Sequence, residues 1–346
     1  MTPVSEVDET IRELLDEAGA HANRDVLRDI LRSAVGLAGD DAQRLDLKIM
    51  AAALKEMRAA FAMFRPLEEV PKVTIFGSAR TQPDDPLYAQ ARELAAQLAD
   101  RGWMVITGAG PGIMAAGAEG AGPGRAIGIS IRLPFEEAVG TTLSDSDLVV
   151  AMKYFFTRKL MLMKESSAFV CLPGGFGTQD ETFELCTLLQ TGKASPAPVV
   201  LLDVPGGTYW RAWVDFVDEE LVRTGLVSPA DHELYLATDD VATAVAEVER
   251  FWRSYHSIRW VGDVLVVRLR HAPTEAEVAS LNQEFADLLV DGRIEPSGPL
   301  PAELSDRDNL ELPRLRMRYD PRAAGRLRAL IDALNDLPSA QGSDVV

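Results

Sequence analysis

The chain has 346 residues, 47% hydrophobic and 25% charged, as in an ordinary globular protein, with a formal net charge of −18. So acidic a surface repels phosphate backbones and anionic lipid, and no apolar run approaches the ~20 residues that span a bilayer, so neither nucleic acid nor membrane is an expected partner. Cys171 and Cys186 lie outside any CxxC pair, which excludes a disulfide scaffold. Together with an acidic N-terminus that lacks a signal-like apolar stretch, they point to the reducing cytoplasm.

Residues 1–68 read as a helical extension. Val7, Ile11, Leu14 and Leu15 recur at helical spacing, as do Val26, Leu27, Ile30 and Leu31, and a third helix over about 44–64 stops at Pro66. From residue 70 to about 255 the pattern alternates. Apolar strands are expected at 72–76, 103–106, 126–131, 168–172 and 198–203, with a short one at 233–236. Helices are expected at 86–101, just after 112, at 152–165, after 178, at 210–222 and at 239–254. This order predicts an α/β fold, a parallel sheet covered by helices on both faces. Residues 258–338 read as a small α+β module: a strand at 261–269, a helix at 274–289 opened by a Thr274–Glu277 capping box, a strand at 312–319 and a helix at 323–334. Residues 339–346 read as a disordered tail.

Ligands of parallel α/β sheets sit at the carboxyl ends of the strands. Three glycine-containing turns fall there: Gly77-Ser78, Gly108-Ala-Gly-Pro-Gly112 and Pro173-Gly-Gly-Phe-Gly-Thr178. Glycines let backbone N–H groups face an anion, and a helix N-terminus behind them adds partial positive charge. Two such loops on one sheet suggest one anionic ligand between them. A P-loop is excluded because Gly192-Lys193 is followed by Ala194 and position 187 is not glycine. A dinucleotide fingerprint fails because the first strand ends in Gly77-Ser-Ala-Arg80. Downstream, Thr178-Gln-Asp-Glu181 has capping-box spacing. Glu181 could bond its own helix start or act as a carboxylate beside a phosphate loop, and the spacing leaves both readings open. His21, His232, His256 and His271 are scattered without ligand spacing, no GxSxG elbow is present, and neither Lys159 nor Lys193 stands out as a Schiff-base lysine.

Arg158-Lys159 followed by Pro173-Gly-Gly-Phe-Gly-Thr-Gln-Asp-Glu181 resembles the RK and PGGxGTxxE signature of the Lonely Guy (LOG) family, many of whose members carry the label "lysine decarboxylase-like". Phe76-Gly-Ser-Ala-Arg80, Gly108-Ala-Gly-Pro-Gly-Ile-Met114 and Leu133-Pro-Phe-Glu136 resemble its supporting segments, so the likeness covers about residues 70–250. The resemblance implies a Rossmann-like doubly wound parallel sheet and cleavage of nucleoside 5′-monophosphates to free base and ribose 5-phosphate, with no cofactor or metal, in a homodimer or higher homo-oligomer. It implies Arg158 and Glu181 as the catalytic pair. Gly174, Gly175, Gly177 and Thr178 would hold the 5′-phosphate, and Gly77, Ser78, Gly108, Gly110, Gly112, Glu136, Lys159 and Glu184 would complete the substrate site. Ala109, Ala115, Ala118 and Thr157 depart from the family pattern and bear on which base is taken. The N- and C-terminal additions match the longer bacterial type. The alternative of another class is a carrier or sensor of the same fold that binds a nucleotide or cofactor without hydrolysis.

Overall fold

The computed structural model describes residues 4–132, 143 and 146–341. The chain divides into two compact units, Met1–Ala59 and Ala60–Val346. The first is built from α1 (Val4–Glu17), α2 (Arg24–Gly39) and most of α3 (Arg44–Phe64). Ile11 and Leu15 are buried, and Arg32 pairs with Asp8 at 2.5 Å.

The second unit holds two sheets. β1 (Lys72–Phe76), β2 (Met104–Thr107), β3 (Ala126–Ile131), β4 (Val149–Met152), β5 (Ala168–Cys171), β6 (Val199–Leu202) and β7 (Leu236–Thr238) form a wholly parallel sheet in the order β4-β3-β2-β1-β5-β6-β7. Its central strands are buried along their length, as expected where helices cover both faces. Alternation on β1 shows the two layers. Val73 and Ile75 join the apolar cluster formed with α4 (Pro86–Asp100), α5 (Ile113–Ala121) and α9 (Val241–Phe251). On the other face, the Thr74 hydroxyl donates to the Leu162 carbonyl of α6 (Phe155–Lys164) at 3.2 Å. α7 (Phe176–Gln190) follows β5, and α8 (Tyr209–Phe216) follows β6 and continues through a π-helical turn at Val217–Val222.

Strand order reverses between β1 and β5, so their carboxyl ends flank the crevice where such sheets bind ligands. The doubly wound sheet read from the sequence is present. The stretch after β3, read as irregular up to a helix at 152, contains the edge strand β4, and the helix begins only at Phe155. Four residues with one polar neighbour give too short a periodic signal.

The second sheet is antiparallel, in the order β10-β11-β9-β8, from β8 (Tyr255–Val261), β9 (Val264–Leu269), β10 (Leu289–Ser297) and β11 (Arg314–Tyr319). The single strand expected at 261–269 is a hairpin, β8 and β9, turning at Gly262 with φ of 64°. The helix expected at 274–289 ends at Glu284 as α10 (Glu275–Glu284), and β10 starts at Leu289. β10 carries Gly292 and Pro296, which suit only an edge strand, and it lies at the edge. The Thr274–Glu277 capping box is formed.

α10 and α12 (Ala324–Asp336) cover one face of this sheet around Leu281, Phe285, Leu327, Leu330 and Leu334. The opposite face carries Arg268 and Arg314 beside Glu303 of α11 (Pro301–Asp306), a buried ion cluster with Arg268 to Glu303 at 2.8 Å. The sheets are tied by Asn335 of α12. Its amide oxygen accepts from the N–H groups of Ser254 and Tyr255, both at 2.8 Å, and its NH2 donates to the Phe251 carbonyl at 2.6 Å, at the end of α9. Pro338–Gln341, which overlaps the expected tail at residues 339–341, forms a 3-10 turn held by the Ser339 N–H on Glu277. Among the described residues no helix is long and apolar enough to cross a membrane.

Candidate active site

The loops after β1, β2 and β5 enclose a cleft of about 1010 Å³ at the strand-order reversal. Backbone bonds fix them against one another. The Ser78 N–H donates to the Pro173 carbonyl at 3.2 Å, and the Ile113 N–H to the Ser78 carbonyl at 3.0 Å. Glycine is required by the backbone at one position and leaves room for Arg158 at another. At Gly112, with φ of 68°, a Cβ would lie 2.3 Å from the Ser78 carbonyl oxygen. At Gly108 a Cβ would lie 2.0 Å from Nη2 of Arg158. The loop around Gly108 is thus shaped to the guanidinium. Between them, Ala109 adopts φ of 56° with its methyl buried.

α7 begins at Phe176, with Gly175 as its N-cap and no side-chain cap. This corrects the capping-box reading. The helix opens three residues earlier than that spacing requires, so Thr178 lies inside the first turn and Glu181 inside the second. The N–H groups of the first turn, without a side-chain partner, lie at the cleft, as an anion site requires. Cβ atoms at Gly175 and Gly177 would meet no protein atom within 4 Å.

Arg158 is held from below, its Nε donating to the Ile129 carbonyl at 2.9 Å. Burial pulls its pKa down, and the nearby Glu181 charge pulls the other way. The guanidinium remains charged. Glu181 is 5% exposed, and its Oε2 makes no hydrogen bond. The Lys159 ammonium stands 3.6 Å from that oxygen, beyond hydrogen-bond range. It is engaged instead by Glu184 at 2.6 Å and Asp180 at 2.8 Å. Burial pushes the Glu181 carboxyl up to about 7 against the pull of Lys159 and Arg158. For Lys159, burial lowers the pKa, but the bonds to Asp180 and Glu184 outweigh it and hold it at about 12. The two values agree, because the lysine's hydrogens go to Glu181's neighbours.

Of the residues expected at the site, Gly77, Ser78, Gly108, Gly110, Gly174, Gly175, Gly177, Thr178, Arg158 and Glu181 line the cleft. Gly112 lies behind it as the N-cap of α5, and Lys159 and Glu184 pair with each other beside Glu181. Glu136 lies outside the described residues. Sequence reasoning missed Arg80 and Arg132, which bring further positive charge to the cleft, and Phe155 and Phe176, its exposed rings. It also missed Tyr209. Its hydroxyl donates to the Gly174 carbonyl at 2.6 Å and accepts from Gln179 Nε2 at 2.6 Å, while its N–H donates to buried Asp203 at 2.9 Å. Arg80 and Phe176 had a local signal, each inside a motif already singled out. The others are brought in by the fold.

A family model described as "Possible lysine decarboxylase" matches residues 112–248. The cytokinin riboside 5′-monophosphate phosphoribohydrolase of Mycobacterium tuberculosis is 32% identical over 170 residues, covering 46% of this chain and 86% of that protein. A probable enzyme of the same name from Oryza sativa subsp. japonica is 32% identical over 167 residues, covering 46% of this chain and 64% of that protein. Among solved structures, a molybdenum cofactor carrier protein from Chlamydomonas reinhardtii is 24% identical, with a TM-score of 0.37, over 53% of this chain and 98% of that one. With its glycine loops, buried Arg158 and Glu181 in place and this similarity to the mycobacterial protein, the chain belongs to the Lonely Guy family, that of the cytokinin riboside 5′-monophosphate phosphoribohydrolases.

Proposed function

We propose that this protein hydrolyses the N-glycosidic bond of a nucleoside 5′-monophosphate such as AMP or a cytokinin riboside monophosphate. Water is added, and free base and ribose 5-phosphate are released. The observation that carries the reading is Glu181, a buried carboxylate with an unpartnered oxygen beside an uncapped helix N-terminus and a buried arginine. A binding module gains nothing from such a group, because burying an unsatisfied carboxylate is costly and it repels phosphate.

The 5′-phosphate would lie on the first turn of α7, where Gly175 and Gly177 leave room for close approach. Arg158, in its fixed fork, would hold phosphate or ribose and orient the sugar. Glycosidic cleavage develops positive charge on the ribose, which the Glu181 carboxylate stabilises while it orients the attacking water. Lys159, held by Asp180 and Glu184, places its charge 3.6 Å from that carboxylate. Apolar Phe155, Phe156 and Leu160, exposed along α6 beside the cleft, support the expectation of a homodimer or higher homo-oligomer.

The test is chromatography of a nucleoside monophosphate panel after incubation, with Glu181→Gln alongside. The wild type should release free base, and the variant should lose kcat by at least about a hundredfold while still binding nucleotide. A thermal shift with AMP but no base release from any nucleotide would replace the hydrolase by a carrier or sensor.

A further inference from the structure

The second unit contains another cavity, of about 400 Å³, away from the glycine loops. It is enclosed by the end of α7, the loop leading into β6, the start of α12 and strands β8, β9 and β11. It therefore lies where the parallel sheet's helices meet the antiparallel sheet, a usual location for small-molecule sites. Trp260 and Tyr319 form an aromatic wall, with ring centroids 5.9 Å apart. Tyr319 is buried, whereas Trp260 stays 44% exposed at the rim. Leu189, Leu327 and Pro196 continue an apolar lining.

Arg328 is the one charged side chain on this wall, and it is already matched by ion pairs to Glu247 and Asp332. A carboxylate or phosphate entering here would lose its water without gaining a free cation. A neutral ligand suffers no such loss, and flat aromatic walls favour a flat partner. The volume admits one or two fused rings.

Leu189 on this wall belongs to the same helix as Glu181, and an α-helix rises 1.5 Å per residue, so the two lie about 12 Å apart along its axis. A helix this short moves as a rigid element, and its other end forms the glycine loop. We propose that the cavity is a second ligand site for a neutral one- or two-ring aromatic molecule, whose binding is felt at the Gly175–Glu181 end of α7. What that coupling regulates rests on the phosphoribohydrolase reading, while the existence of the site does not.

The test uses the full chain and indole as probe. Calorimetric titration should give saturable binding. Trp260→Ala, a change at the exposed rim, should weaken it at least tenfold, and Ala324→Leu, which fills the cavity, should do likewise. Hydrogen exchange in the peptide covering Phe176–Gln190 should slow at least twofold when indole is saturating. If Ala324→Leu fails to fold, Trp260→Ala decides the matter. Absence of saturable binding, or wild-type affinity in Trp260→Ala, overturns the site. Unchanged exchange in α7 despite binding overturns the coupling. Neither measurement uses a nucleotide, so a silent nucleotide panel would refute the hydrolase and leave this result standing.

Discussion

Glu181 carries an energetic burden that the role proposed for it would explain. Its folded-state pKa, about 7, lies above the ordinary 4.5. Between those values the folded protein holds a proton that the unfolded chain has lost, so stability from this group falls as pH rises from about 4.5 to 7. The full shift corresponds to about 3 kcal/mol. Glu181→Gln should therefore be more stable than the wild type in denaturant titrations at pH 8. The gain should shrink through that window and vanish below about pH 4.5. A gain over the wild type no larger at pH 8 than at pH 4 would contradict the burial argument. The same group sets the direction of the rate profile, because chemistry that needs the carboxylate strengthens as pH rises through 7. Spacing pointed to this residue but left two roles open. Only the helix start at Phe176 removes the cap, and that start depends on where Gly175 places the chain.

At the scale of elements, the cleft is made by three loops and braced by α8, through Tyr209, Asp203 and Gln179. Tyr209→Phe keeps the ring and removes the bond to the Gly174 carbonyl. The loop that would receive phosphate then loosens while Arg158 and Glu181 stay in place. KM for nucleotide should rise several-fold with kcat changed less than twofold. A loss confined to kcat would place Tyr209 in the chemistry instead. This brace was invisible in the sequence because Tyr209 and Gly174 are 35 residues apart and neither sits in a motif with the other. The parallel strands that end in glycine turns were legible, since Val- and Ile-rich runs ending in glycine carry a strong local signal, whereas the short strand expected at 233–236 lies at Leu236–Thr238, after a 3-10 turn. β4 and β10 were not. The one is short, and the other is interrupted by Gly292 and Pro296 and held as a strand by its pairing with β11.

Across the whole molecule, the anionic nucleotide proposed as substrate would have to approach a body of net charge −18 to reach a cleft lined by Arg80, Arg132 and Arg158. At long range it meets repulsion, which salt screens over a Debye length of about 10 Å at 0.1 M. Close in, it meets partly buried cations, which salt screens much less. The association rate of AMP, followed by stopped flow, should therefore rise by about twofold between 10 and 150 mM salt. A fall would show that the arginines govern the approach from a distance. The charge was plain from composition, but its local reversal in the cleft depends on strands distant in sequence, and only Arg158 among the three was expected there.

Ala109 is a non-glycine residue held at φ of 56° in the loop after β2, and its methyl faces Gly128 of β3. A Cβ at Gly128 would stand 2.9 Å from that methyl, with Leu143 and Val149 side chains each at 3.1 Å. The left-handed turn costs an alanine about 1–2 kcal/mol, a strain that the surrounding packing sustains. One methyl group is thus shared between a loop and a strand, and there is space for it on only one side. The two sites are coupled: loss of the methyl at 109 removes the tightest contact facing a side chain at 128, while Leu143 and Val149 would still have to give by a few tenths of an ångström.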